Sequence, residues 1–169
     1  GKDFKTLPLD YTLYEAPLYG DPDASTKPFI SKTTAPVTVK KGLEDNVALT
    51  FDVPGAKLWN MEKPYRYVLV AQLKDNKGKV LETVSTNVGF RQVEIRDTPA
   101  SEDEFGKAGR YYYINGKTVK LRGVNRHETS PLYGHTVPRE QMEEEIMLMK
   151  RANINHIRNS HYPEPTYLY

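Results

Sequence analysis

Cysteine is absent from the 169 residues, which excludes disulfide staples and thiolate metal sites and leaves the redox compartment open between cytoplasm and periplasm. No apolar run approaches the roughly 20 residues that cross a bilayer, and residues 1–4 (GKDF) do not open a signal-peptide hydrophobic stretch. An excess of one charge is missing too: 24 Lys and Arg face 22 Asp and Glu, for a net +2. The basic residues are scattered, with no aromatic-basic interleaving, so neither nucleic acid nor a membrane is the expected partner. There is no Asn-x-Ser/Thr acceptor. Histidine is missing from the first three-quarters of the chain and appears only at positions 127, 135, 156 and 161. That distribution directs attention to the last quarter.

What is present is a chain 38% hydrophobic and 27% charged, enough for one or two modest cores. Twelve tyrosines suit β-structure. Residues 7–15 (LPLDYTLYE) read as a strand. Residues 16–36, with prolines at 17, 22, 28 and 36, read as an irregular excursion, because proline cannot donate to a ladder. Residues 37–39 form a short strand, and residues 46–53 alternate as a half-buried one up to Pro54-Gly55. The strongest strand is 65–73 (YRYVLVAQL). It turns through Asp75-Asn-Lys-Gly78 into 79–86, and the pattern resumes from Val88 to Ile95, with Gly89 marking a bulge or a close backbone approach. These short strands predict an immunoglobulin-like antiparallel β-sandwich over residues 1–97, one or two strands short of a complete one. A polar, acidic linker follows over 98–110.

The character then changes. Residues 111–121 read as a hairpin around Asn115-Gly116. Residues 121–124 read as a strand ending in Asn125-Arg126-His127-Glu128. Thr136 is placed to cap a helix starting near Pro138. Met142, Ile146, Met149 and Asn153 line one row of that helix, widened by Leu148 and Ala152, while Glu143 to Glu145 face solvent. Asn153 closes the helix, and a second strand from Asn155 ends in Arg158-Asn-Ser-His161. The sum is one βαβ unit with parallel strands, whose carboxyl ends would bring His127 and His161 to one rim, where α/β arrays bind ligands.

Three chemistries compete for that rim. Zinc needs further ligands, and Pro131 stands where a second histidine of a metal helix would be. A nucleophilic Ser160 would need His161, yet neighbours in a strand point apart. A subsite for a polyhydroxylated substrate, with imidazoles and an amide bonding hydroxyls, fits best. Against all three stands plain packing, in which both histidines are satisfied structural residues.

Asn155-x-Ile157-Arg158-Asn-Ser-His161-Tyr-Pro163, followed by Leu168-Tyr169, resembles the opening of the glycoside hydrolase family 2 signature. Leu121-Arg-Gly-Val-Asn-Arg-His-Glu128 with Pro131-Leu-x-Gly134 resembles its β-galactosidase branch. Leu58-Trp-Asn-Met-Glu62-x-Pro64-Tyr65 and Val88-Gly-Phe-Arg91-x-Val93-Glu-Ile95 are similar to the last strands of the family's middle sandwich. The resemblance implies an internal piece of a larger retaining enzyme that hydrolyses terminal β-D-galactosyl residues. It would hold most of the sandwich and then, over 111–169, a hairpin and the first βαβ unit of a TIM barrel. No catalytic residue is expected within it, since both catalytic glutamates belong to later barrel strands, and the piece alone should be inactive. His127 and His161 would line the sugar subsite, and Arg158 would orient the nucleophile and keep it ionised. Asn125 and Arg126 would support them from behind. No cofactor or metal is expected in this stretch; the parent's magnesium and sodium would be bound elsewhere. The β-galactoside is the expected partner, and the parent is compatible with a homo-oligomer. The alternatives are a sandwich module that binds carbohydrate or a partner domain, or a β-glucuronidase or β-mannosidase of the same family.

Overall fold

The computed structural model describes residues 4–17, 26–33, 37–40, 42, 46, 48 and 50–169. The chain forms two compact units, residues 1–93 with 114–116 and residues 94–113 with 117–169.

In the first unit, β1 (Phe4–Leu7) pairs with β4 (Val37–Lys40), and β3 (Pro28–Thr33), β2 (Leu9–Glu15), β5 (Tyr67–Lys74) and β6 (Val80–Val88) form a second sheet in that order. Each of these strand pairings is antiparallel. Leu13, buried, lies between Ile30 and Leu69 in register. Tyr67 has no exposed surface; its ring meets Phe29 and Phe90 at 5.2 Å each, and its hydroxyl accepts the Lys57 N–H at 2.7 Å. Burial of such a ring with its polar tip satisfied is what anchors a small core. The β5–β6 turn is built by Asp75, whose carboxylate accepts from the N–H groups of Lys77 and Lys79, while Gly78 takes φ +84°. At Gly89 an added Cβ would lie 3.5 Å from that of Trp59, an ordinary side-chain contact, so the close backbone approach expected there is not what the structure shows.

Three further expectations change here. Residues 16–36 are not wholly irregular, because Pro28–Thr33 pairs with β2. Pro28 is the first residue of an edge strand, where its missing N–H costs the sheet nothing. Residues 7–15 are two strands divided at Pro8, each with its own partners. In 46–53, Val47 and Leu49 lie outside the described residues, and the others carry no strand. Phe51 and Val53 are half-buried between exposed Thr50 and Asp52, so the alternation persists without a ladder.

Next along the chain is a sheet of order β7 (Val93–Thr98), β8 (Gly109–Ile114), β9 (Lys117–Thr118). Asn115 and Gly116, at φ 51° and 76°, make the expected tight turn. Buried Tyr113 shares a 2.6 Å hydrogen bond with Thr98 under the Arg96 guanidinium. Then come β10 (Gly123–Arg126), α1 (Arg139–Arg151) and β11 (His156–Asn159), with β10 and β11 parallel. The protein is thus mainly β, a sandwich followed by the start of a TIM barrel.

The helix departs from expectation in three details. Thr136 is not its cap: Pro138 occupies the N-cap position without a side-chain bond, and the Thr136 N–H goes to Tyr133 O at 3.2 Å. Met142 is buried and Ile146 and Met149 half-buried, but Leu148 is exposed and does not widen the packed face. Glu145 is not on the solvent side; it lies three positions from Met142, one turn along the packed face, and reaches inward. Asn153 closes the helix as expected, at φ 58°.

Candidate functional site

Asn155 fastens the start of both parallel strands. Its N–H donates to Arg122 O at 3.0 Å, its Oδ1 accepts the Arg122 N–H at 2.8 Å, and its Nδ2 donates to Lys120 O at 3.1 Å. Gly123 then sits against His156, where a Cβ would come within 2.8 Å of the imidazole and 3.2 Å of the backbone oxygen. The register that follows sets Val124 beside Ile157, Asn125 beside Arg158 and Arg126 beside Asn159. Ser160 N–H extends the ladder to Arg126 O at 2.8 Å.

Alternation sorts the side chains into two faces. Val124, Arg126, Ile157 and Asn159 are buried or half-buried, whereas Asn125 and Arg158 are exposed. Beyond the strand ends alternation no longer applies, and there His127 and His161 are exposed while Ser160 is buried. His127 and His161 meet edge to face, ring centres 5.7 Å apart at 87°. The structure therefore brings both sequence-predicted imidazoles together, with Asn125 and Arg158 paired in register on the open side of the same two strands. Ser160 is buried with its hydroxyl 3.5 Å from Arg158 O, so no imidazole activates it.

Arg126 turns the other way. Its Nε–H donates to Glu145 Oε2 at 2.9 Å; Nη2 lies 2.8 Å from the same oxygen, and Nη1 lies 2.7 Å from Glu164 Oε1. The two Nη contacts are close but off the donor axes, so the Nε–H bond is the regular one. Burial opposes the guanidinium's charge, but Glu164 and Glu145 outweigh it and raise its pKa above the ordinary arginine value. Beyond β11, the Tyr169 hydroxyl accepts from Asn159 Nδ2 at 2.8 Å and from Glu164 N–H at 3.0 Å. The β10–α1 loop closes on itself through Ser130 and Gly134, with N–H···O distances of 2.7 and 2.9 Å. His135 Nδ1 lies 2.9 Å from Glu128 O and 3.2 Å from the Tyr162 hydroxyl.

Sequence reasoning missed Glu145, Glu164 and Tyr169. Helical spacing already put Glu145 on the packed face; nothing local announced the other two. Chemically, the open face offers donors to hydroxyl groups. Glu164, 6% exposed and spent on Arg126, is not a reacting carboxylate. Among the described residues no three metal-ligating side chains converge.

Known proteins resemble this chain along most of its length. Residues 108–169 match the model described as "Glycosyl hydrolases family 2, TIM barrel domain", and residues 19–91 match "Glycosyl hydrolases family 2". A β-galactosidase of Alteromonas mediterranea is 39% identical over 127 residues, 75% of this chain and 11% of that protein. One from Kluyveromyces lactis is 36% identical over 150 residues, 89% of this chain and 13% of that protein. The chain thus spans about an eighth of the length of these curated relatives. Among solved structures, a β-glucuronidase from Ruminococcus gnavus in complex with D-glucuronic acid superposes with a TM-score of 0.68 at 22% identity, over 96% of this chain and 23% of that one. That likeness is one of fold.

Proposed function

Since the chain belongs to glycosyl hydrolases family 2, we propose that it supplies one edge of the sugar pocket of a retaining β-galactosidase. The observation that carries this reading is the His127–His161 pair at the carboxyl ends of two parallel strands. Both imidazoles bond hydroxyls of the galactosyl ring and tighten on them as the transition state forms. Arg158, on the open face with no partner among the described residues, orients the nucleophilic carboxylate and holds it ionised. Asn125 stands beside it, and Arg126 holds the strand ends from the opposite face.

The chemistry itself needs two carboxylates about 5–5.5 Å apart, which the proposal assigns to barrel strands outside residues 1–169. Residues 1–169 alone are therefore expected to turn over no galactoside. Magnesium and sodium of a parent enzyme would be bound by residues outside these.

The test is a full-length enzyme carrying this segment, assayed on nitrophenyl β-galactoside and β-glucuronide. Galactoside turnover is expected to dominate. His161→Ala should lower kcat/KM about 100-fold, the scale of one lost transition-state donor. Unchanged rates in that variant would remove His161 from the pocket, and preferred turnover of the glucuronide would replace the substrate.

A further inference from the structure

Arg126 stands one position before His127 and Glu164 three positions after His161. Their side chains, 4% and 1% exposed, meet at 2.7 Å. We propose that Glu164 is a positioning residue, which fixes through Arg126 the place of the His161 imidazole against His127. The consequence for turnover rests on the galactosidase reading; the positional statement does not.

The segment from Ser160 to Glu164 is tied to Arg126 at both ends. Its start is held by the Ser160 N–H on Arg126 O, and its end by the Glu164 carboxylate on Nη1. Tyr169 closes the same loop from outside by accepting from Asn159 and from the Glu164 N–H. His161 lies within this closed segment, and among the described residues its imidazole makes no hydrogen bond and one ring contact, with His127. Its position is thus inherited from the two tie points. On the far side Glu145 holds Nε and Nη2 of the guanidinium, so Arg126 cannot swing to follow a displaced loop. Both Glu164 oxygens are buried without a hydrogen bond, which leaves the ionic contact as their compensation. A buried ion pair of this kind adds little net stability compared with an apolar contact of similar volume. What it adds is a fixed direction and distance.

Two variants separate positioning from mere folding. Glu164→Gln keeps the volume and removes the charge. Arg126→Met with Glu164→Leu removes the pair altogether and should melt close to the unsubstituted chain. In the 169-residue chain with labelled histidine, both should shift the imidazole signals of His161. They should shift those of His127 as well, because each ring sits in the other's ring current, while His156 stays in place. Unmoved His161 and His127 signals, or signals that return in the double variant together with stability, would overturn the proposal.

In the full-length enzyme, Glu164→Gln should lower kcat about 10- to 100-fold, as a displacement of about 1 Å does. The loss should follow the pattern of His161→Ala across 2-, 3-, 4- and 6-deoxygalactosides, vanishing on the same sugar. An equal loss on every deoxy sugar would also overturn it. If the unsubstituted enzyme turns over no galactoside, the galactosidase reading falls, and the imidazole signals still decide the role of Glu164.

Discussion

Among the described residues of the first unit the fully buried side chain is Tyr67, an aromatic ring between Phe29 and Phe90 with its hydroxyl capped by one backbone donor. In the second, the buried residues include Arg126, Glu164, Ser130 and Ser160, while Met147 and Leu148 of α1 are about half exposed. Both units bury apolar side chains, Leu13 and Tyr67 in the first and Tyr113, Val137 and Met142 in the second, and both leave some outside, such as Leu81 and Val84 in the first. What the second adds is the buried Arg126–Glu164 ion pair. Hydrophobic burial is non-directional and tolerates adjustment, whereas a buried ionic contact fixes its partners or fails. On the proposed reading the contrast separates a scaffold from a site, with the costly interior of the second unit holding the open face of β10 and β11 in place.

The largest effects break this contrast directly. Tyr67→Ala should cost about 3–5 kcal/mol, the loss of a buried ring and the cavity it leaves. Tyr67→Phe should cost only about 1 kcal/mol, one hydrogen bond. Arg126→Met alone should also cost about 3–5 kcal/mol, because Glu164 is left as an unpaired buried charge. The difference is in the remedy: an apolar replacement of Glu164 rescues Arg126→Met, while no second apolar change rescues Tyr67→Ala. Denaturant melts with amide-exchange readout of β5 and β10 check both, and equal costs for Arg126→Met with and without the Glu164 change would erase the distinction.

An intermediate effect is expected at Gly123→Ala. The added methyl meets the exposed His156 ring, which can turn away, and the His156 backbone oxygen at 3.2 Å, which cannot without spreading the strands. A cost of about 1–3 kcal/mol follows, with weakened exchange protection at Asn125 and Arg158. Full protection at both positions would show that the pair tolerates more separation than its register suggests.

The parts of this molecule legible in the sequence are those whose cause is local. Asn115-Gly116 demanded a turn with two positive φ values, and Asp75 with Gly78 built the β5–β6 turn from side chains a few residues apart. The parallel pairing of β10 and β11 followed from the helix between them. Pro28–Thr33 was hidden because proline-rich composition looks like loop, and only the sheet order reveals that Pro28 opens an edge strand. The His127–His161 meeting was readable because both end strands that start together. Arg126 with Glu145 and Glu164 was not: the three are far apart in sequence, and an acidic residue on a helix reads as solvated unless its row is traced past Met142.

The smallest effect sharpens the comparison at its exposed edge, where charge is not buried at all. Tyr167 and Tyr111 both ionise above the ordinary tyrosine range, for different reasons. Tyr167 donates to Glu143, and this bond is the main cause, with partial burial adding and Arg139 over the ring opposing. For Tyr111 burial comes first and Asp103 second. A folded-state pKa above the unfolded one means that each contribution is complete below the ordinary tyrosine pKa and disappears as pH rises through the folded value. Ring-resolved alkaline titration should therefore show Glu143→Gln bringing Tyr167 back toward the ordinary range without moving Tyr111. Asp103→Asn should lower only Tyr111, and by less, because burial remains. If Glu143→Gln leaves Tyr167 unmoved, then desolvation governs this surface as it governs the interior, and the distinction between the two kinds of packing does not extend to the outer face of α1.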